Sequence, residues 1–536
     1  MPPKRRNLTG FVAAAGVGGL VLIPLVGLIS AIQQRTPDPF TGKTPQLTEV
    51  IRVSGAGQLL LNSVLLSIVV AVGAALLGGW LAWVEHRSEF PGRRWLTVAT
   101  LLPLAMPSYI LAGTLRSSLG PGGWIGGPLG LPHLTGFTIA AVVLIVVTAP
   151  LVQLIVGAAL TRTSAAEEEA ARSLGASPSK VFTAVTLPRL RPAIGLSGLL
   201  ALLYAISDFG AVAVLDCHVL TWRLYDAVRG QDLARAAVLG VSVLLATIPL
   251  FAAARFIRGN APGQDVANRR AAPRNPLGKT GIFTTAVAIL LTVGLGLILP
   301  ISTLCLWVLD GLERSLPFAS AWTSLTHTVL AALIGTLVTI TLAWLPARIT
   351  AERARRSGSG STSLFEEATY ITSALPGVLL ALGLMQAALM AARAFGGATV
   401  YHALLNLGVL LFAGYAARFL AEVFAPLKTG FSTFDPRQVE SARVLGAGPW
   451  KRFRYVTLPS LGPSLTVAFL IGFNAILKEL PVTLLLGGAT GLQTLSFRVW
   501  DRYSESLWHD AGAAGLLIVG LAMLAVVCTL PWRRDV

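Results

Sequence analysis

Apolar residues in this chain fall in long, unalternating runs separated by short polar stretches. A helix that crosses a bilayer needs about 20 mostly apolar residues. Twelve runs meet that length and predict spans at roughly 10–32, 58–84, 95–115, 137–160, 193–215, 235–257, 282–308, 323–347, 369–392, 403–427, 464–487 and 513–531. Inside lipid every backbone N–H and C=O must be bonded within the chain, so crossing segments are helices or closed barrels. The runs lack the period-two alternation of barrel strands, which selects helices. The predicted fold class is an all-α membrane protein with about 12 transmembrane helices. The first run is long enough to span and has no small-residue cleavage site, so it reads as a span and not as a cleaved leader.

Composition agrees. The chain is 54% hydrophobic and 12% charged, with mean hydropathy +0.70, against about 25% charged residues in a soluble domain. The net charge of +17 raises the question of nucleic acid. The basic residues lie between apolar runs and form no single patch, so lipid is the expected surroundings and no nucleic acid is expected. Lys4-Arg5-Arg6 opens the chain and Arg533-Arg534 nearly closes it. An even span count puts both ends on one side, and Lys and Arg concentrate in the loops of that side. By the positive-inside rule both termini are cytoplasmic. Cys217, Cys305 and Cys528 lie far apart, without metal or disulfide spacing, and the six His are scattered.

The chain repeats itself. Glu169-Ala170-Ala171-Arg172-Ser173-Leu174-Gly175-Ala176 returns as Glu440-Ser441-Ala442-Arg443-Val444-Leu445-Gly446-Ala447, and Val185-Thr186-Leu187-Pro188 returns as Val456-Thr457-Leu458-Pro459. The same spacing pairs Lys180 with Lys451, Phe182 with Phe453, and Asp208 with Glu479. Earlier in each half, Leu81-Ala82-Trp83 matches Leu342-Ala343-Trp344 and Pro107 matches Pro376, at a shorter spacing. The Ser/Gly-rich stretch near Arg356–Ser363 accommodates the difference as a flexible insertion. Each half is therefore a six-span unit in parallel orientation: residues 1–257, a cytoplasmic linker 258–281, and residues 282–536. Gly278-Lys279-Thr280 in the linker looks like the tail of a phosphate-binding loop. The pattern needs a glycine where Pro273 stands, and a strand before it, so no nucleotide site is read here.

The doubled motif carries the functional reading. Arg162–Leu174 is rich in good helix formers. Gly175 supplies a turn that a side chain would hinder, and Ser177-Pro178 opens a second short helix. The small Ala170 and Ala171 permit close approach by another protein. One copy could be a capped interfacial helix pair, but two copies matched at so many positions are poorly explained that way. Glu-Ala-Ala, three residues, Gly, nine residues, aliphatic, any residue, Leu-Pro resembles the cytoplasmic signature of ABC importer permeases. Here it runs Glu169–Pro188 and Glu440–Pro459, with Ser441 departing from Ala. The resemblance implies a fused type I importer permease of two six-helix parallel repeats in a bacterial inner membrane. Glu169, Ala170, Ala171 and Gly175, with Glu440, Ser441, Ala442 and Gly446, would form two coupling levers. Two copies of a separate ABC ATPase subunit would grip them, using ATP and Mg, while this chain binds no cofactor. An ion-coupled secondary transporter also uses repeats and membrane-embedded acids, but it has no ATPase to grip.

Cargo is read from fewer residues. Asp208 and Glu479 occupy equivalent places in spans five and eleven. An ionisable residue in a span is costly and faces a water-filled path or a partner. With Lys478 they are candidate pathway residues that would favour a cation. An acid at this place is common to the permease class whatever the cargo, and Lys478 is placed to neutralise Glu479. Lys478–Leu486 followed by Thr494–Trp500 resembles fused ferric-iron permeases, with Arg223 and Arg498 equivalent. Fused thiamine and 2-aminoethylphosphonate permeases are similar. In the family an external binding protein selects the cargo. Ferric ion prefers hard oxygen ligands, and no dense Tyr/Asp/Glu/His cluster is visible here. Pro107 and Pro376 predict helix breaks, and Trp83, Trp344 and Trp532 read as interface anchors.

Overall fold

The structure, a computed structural model, describes residues 3–33, 46–90, 92–161, 165–259, 274, 276–318, 321–357 and 364–529. Most of the expected linker, part of the Ser/Gly-rich insertion, and Trp532 lie outside these residues. Among the described residues ten helices are long and apolar enough to cross a membrane, or twelve if each of two bent pairs counts as one span. The twelve in order are span 1 (Pro3–Ile32), span 2 (Ala56–Arg87), span 3 (Trp95–Ala105 and Ser108–Leu119), span 4 (Phe137–Leu160), span 5 (Leu187–Ser207) and span 6 (Leu233–Gly259). Then come span 7 (Lys279–Glu313), span 8 (Ala321–Ser357), span 9 (Gly377–Phe395, preceded by the helix Leu364–Ala374), span 10 (Val409–Thr433), span 11 (Pro449–Ser460 and Gly462–Leu477) and span 12 (Trp508–Thr529).

The prolines act where the sequence puts them. Pro107 takes φ −65, ψ 136 and Pro376 takes φ −59, ψ 142. Both are extended, which stops the i→i−4 ladder. Span 3 bends by 98° there. Spans 5 and 11 differ from the expectation of unbroken helices to residues 215 and 487. Each stops at its ionisable residue, and a short helix restarts at Gly210–Val214 or Pro481–Leu486.

Spans 2, 4 and 5 share a small core of Ala74, Ala82, Val152, Val156, Leu160, Leu190 and Ala201. Spans 8, 10 and 11 share its counterpart, with Ala343, Ala347, Leu420, Val423, Leu427 and Ala468. The other end of the bundle is one large core drawn from both halves. The first spans reach across the halves. Span 1 lies along span 9, where Gly27 and Gly383 meet so closely that a Cβ on either would collide with the facing backbone. Span 7 packs along span 12 of its own half through Leu299–Glu313, where Gly515 abuts Leu304, and also reaches the first half, where Trp80 Nε1 donates to Thr285 Oγ1 at 3.2 Å and Gly296 abuts Val146 and Pro103.

Candidate coupling loops and central polar site

Between spans 4 and 5 a helix at Ala165–Ser173 leads to Gly175, and between spans 10 and 11 a helix at Arg437–Val444 leads to Gly446. The two turns have one geometry. Gly175 has φ +81 and Gly446 φ +80, in the left-handed region where a Cβ is strained. Gly175 N donates to Arg172 O at 2.9 Å and Ala176 N to Ala171 O at 3.1 Å. Gly446 N donates to Arg443 O and Ala447 N to Ala442 O, both at 3.0 Å. This paired closure of a helix C-terminus leaves Leu174 and Leu445, just before the glycines, 88% and 85% exposed. Glu169, Ala170, Glu440 and Ser441 are exposed, and Ala171 and Ala442 half-buried. Ser177 caps the following helix as expected, accepting from Lys180 N at 3.4 Å. A π-helical turn, Phe182–Thr186 or Phe453–Thr457, then joins each lever to its span.

The levers are fixed to the bundle by residues that motif reading passes over. Trp83 stands edge-on to Phe182 at 5.1 Å, and Trp344 to Phe453 at 5.9 Å, so both tryptophans grip the levers. In the first half Glu168, not the motif's Glu169, is the buried anchor. Its Oε1 lies 3.1 Å from Arg87 Nη2 and accepts from Thr186 Oγ1 at 3.0 Å. The repeat places Val439 opposite Glu168 and Arg348 opposite Arg87, and Arg348 pairs with Glu352 on its own helix at 2.8 Å. Glu167 pairs with Arg189, and at the matching place Ser460 Oγ donates to Gln438 Oε1 at 3.2 Å.

Asp208 and Glu479 are both buried, and each caps the short helix that follows it. Ala211 N donates to Asp208 Oδ2 at 2.9 Å, and Val482 N to Glu479 Oε1 at 3.4 Å. Ser108 Oγ donates to Asp208 Oδ1 at 2.6 Å. The equivalent of Ser108 is Gly377, where a Cβ would strike Glu479 Oε1. Lys478 Nζ donates to the Leu104 carbonyl at 2.8 Å, across the halves. The cation whose charge both carboxylates feel is Arg418, which the sequence reading did not single out. Its Nη1 donates to Leu375 O at 2.7 Å and its Nη2 to Ser207 Oγ at 3.2 Å.

At the end away from the levers, short helices Leu220–Arg229 and Leu495–Ser504 precede spans 6 and 12. Arg498 is buried against Asp510 at 2.6 Å, while Arg223 meets Asp226 at 3.4 Å near the surface. Tyr225 and Trp500, equivalent in the repeat, meet edge-on at 6.1 Å, and Phe209 lies 5.3 Å from Trp500. Cys217 is buried in this region, and burial beside Asp216 pushes its thiol up to about 11.

The structure thus holds two repeats of membrane-crossing helices, each with an exposed helix–turn–helix on one face and a broken helix beside it. The profile of binding-protein-dependent transport system inner membrane components matches residues 74–260 and 347–531. The chain belongs to that family, the permeases of ABC importers, with two family units fused in one polypeptide. It is 28% identical over 473 residues to the Fe(3+)-transport system permease protein FbpB 2 of Haemophilus influenzae, covering 86% of this chain and 87% of that one. It is 26% identical to the probable ABC transporter permease protein y4fN of Sinorhizobium fredii, over 96% and 94% of the two chains. It is 30% identical to the probable sulfate transport system permease protein cysT of Nephroselmis olivacea, over 45% of this chain and 87% of that one.

Proposed function

We propose that this chain passes ferric iron, handed over by an external binding protein, through an importer driven by two copies of a separate ATPase subunit. The levers at Glu169–Gly175 and Glu440–Gly446 face the cytoplasm and seat in the ATPases, so that ATP-driven closure moves each lever together with its small core of spans. Asp208, Glu479 and Lys478 flank the path between the halves.

The observation that carries the cargo reading is length. The Haemophilus iron(III) permease aligns across both repeats, whereas the sulfate permease aligns over 45% of this chain. A sulfate importer is the second reading, favoured by the two cations, Arg418 and Lys478, between the halves. Thiamine and 2-aminoethylphosphonate are the further alternatives. The test is uptake of radiolabelled iron and of radiolabelled sulfate by cells lacking the gene and lacking other importers of either. Loss of iron uptake, restored by the wild-type chain, supports the reading. Loss of sulfate uptake with iron unchanged overturns it and leaves the permease assignment intact.

A further inference from the structure

The two proline breaks create the same problem twice. Where span 3 and span 9 turn extended at Pro107 and Pro376, the carbonyls just before the break lose their helical donors. In a membrane interior an unpaired carbonyl is costly. Leu104 O is met by Lys478 Nζ at 2.8 Å and Leu375 O by Arg418 Nη1 at 2.7 Å. Cations suit such carbonyl ends. Both cations come from the second half. At the places equivalent to Lys478 and Arg418 the first half has Ser207 and Val147, which are too short to reach. Each cation also ties to the first half, Lys478 through Leu104 and Arg418 through Ser207 Oγ at 3.2 Å.

The surroundings show which opening these ties oppose. Toward the face away from the levers, the halves are in contact. Phe209 and Tyr225 of the first half, 1% and 5% exposed, lie against Trp500 of the second. Ser496 of the second half is 1% exposed and lies near Tyr109 of the first. A Cβ on Gly113 would strike the Tyr503 ring. On the lever side, side chains close to these ties are less fully buried. Tyr204, one turn before Asp208, is 36% exposed, and its hydroxyl feels charges from both halves, namely Asp208, Arg418 and Glu479. Glu422, one turn nearer the levers than Arg418, is also exposed.

We propose that Lys478 and Arg418 form a polar latch that holds the halves together on the face away from the levers, and that opening that face requires both side chains to release the first half. Lys478 and Arg418 are positioning residues here. They act through the carbonyl of Leu104 and the hydroxyl of Ser207, and a contact that is either made or broken gives a two-state element. The latch rests on the reading of the chain as an alternating importer, but its test needs no cargo.

Ser496→Cys, in a chain whose three cysteines are replaced by serine, reports the opening. It is treated with a membrane-impermeant maleimide from the outside of ATP-depleted cells, and labelling is scored per chain present in the membrane. Lys478→Met should raise the labelling rate about tenfold, the population shift expected when a charge-assisted bond is lost. Lys478→Arg should return it toward the parent value, as a generally loosened fold would not. Ser207→Ala, which removes one oxygen, should raise it about two- to threefold. Parent-level labelling in both Lys478→Met and Ser207→Ala, at equal abundance in the membrane, overturns the latch while leaving the importer reading standing.

Discussion

The two levers share a backbone and differ in how they are held. Both turn on a left-handed glycine at φ near +80 with the same pair of closing hydrogen bonds. Both receive a tryptophan edge from the preceding spans. The first lever is then bolted by a buried ion pair, Arg87–Glu168, with a threonine completing it. The second has Val439 at that place and relies on exposed polar contacts such as Gln438–Ser460. It also presents Val444, Leu445 and Trp450, which are 87%, 85% and 71% exposed. The difference separates two requirements. The turn geometry is repeated, whereas the anchor is solved independently in each half. The first lever is tied to its bundle electrostatically, and the second offers more apolar surface to a partner.

Breaking the anchors should expose this inequality most strongly. Removing one partner of a buried ion pair leaves a stranded charge and costs about 3–5 kcal/mol. Glu168→Ala should therefore lower the unfolding temperature of the purified chain markedly, and Arg87→Met combined with Glu168→Met should recover much of the loss. Arg348→Ala, the same place in the second half, breaks only an exposed pair and should cost under about 1 kcal/mol. Next come the glycines. Gly446→Arg should abolish transport while the chain remains in the membrane, and Gly175→Arg should be at least partly defective. Open space surrounds both positions, so the folding cost is limited to the left-handed backbone, about 1–2 kcal/mol. Asn, which tolerates that region, should preserve more uptake than Arg at either site. The tryptophan edges should act alike, each of Trp83→Leu and Trp344→Leu losing about 0.5–1.5 kcal/mol of aromatic contact in the same thermal measurement. Gln438→Ala should be the smallest, within about 0.5 kcal/mol, with uptake unchanged.

Much of this was legible in the sequence. Run length gave the spans, because lipid leaves the backbone no alternative to helix. The levers were legible because a glycine fixed at a left-handed position, flanked by small residues, recurs at one spacing. Pro107 and Pro376 marked the helix breaks. The residues that hold the site were harder to see. Glu168 sits beside the motif's Glu169, and only three-dimensional packing shows which of the two faces Arg87. Its one sequence signal is that the repeat changes Glu168 to Val439. Lys478 looks like the neutraliser of its neighbour Glu479, yet it reaches Leu104, 374 positions away in sequence. Arg418 has no counterpart in the first half, so the repeat did not draw attention to it. The packing of span 1 along span 9, and the contacts of span 7 with the first half, were likewise invisible, since parallel repeats predict equivalent units without saying which unit each span touches.

The most direct measurement is on the levers themselves. The chain would be extracted from its native membrane in mild detergent, as wild type and as the double variant Gly175→Arg, Gly446→Arg, and the bound subunits quantified. The account predicts that wild type carries two copies of an ATPase subunit, and that the double variant, equally abundant and equally folded by thermal unfolding, carries little or none. A double variant that retains two ATPases, or a wild-type chain that supports uptake with no ATPase bound, would contradict it.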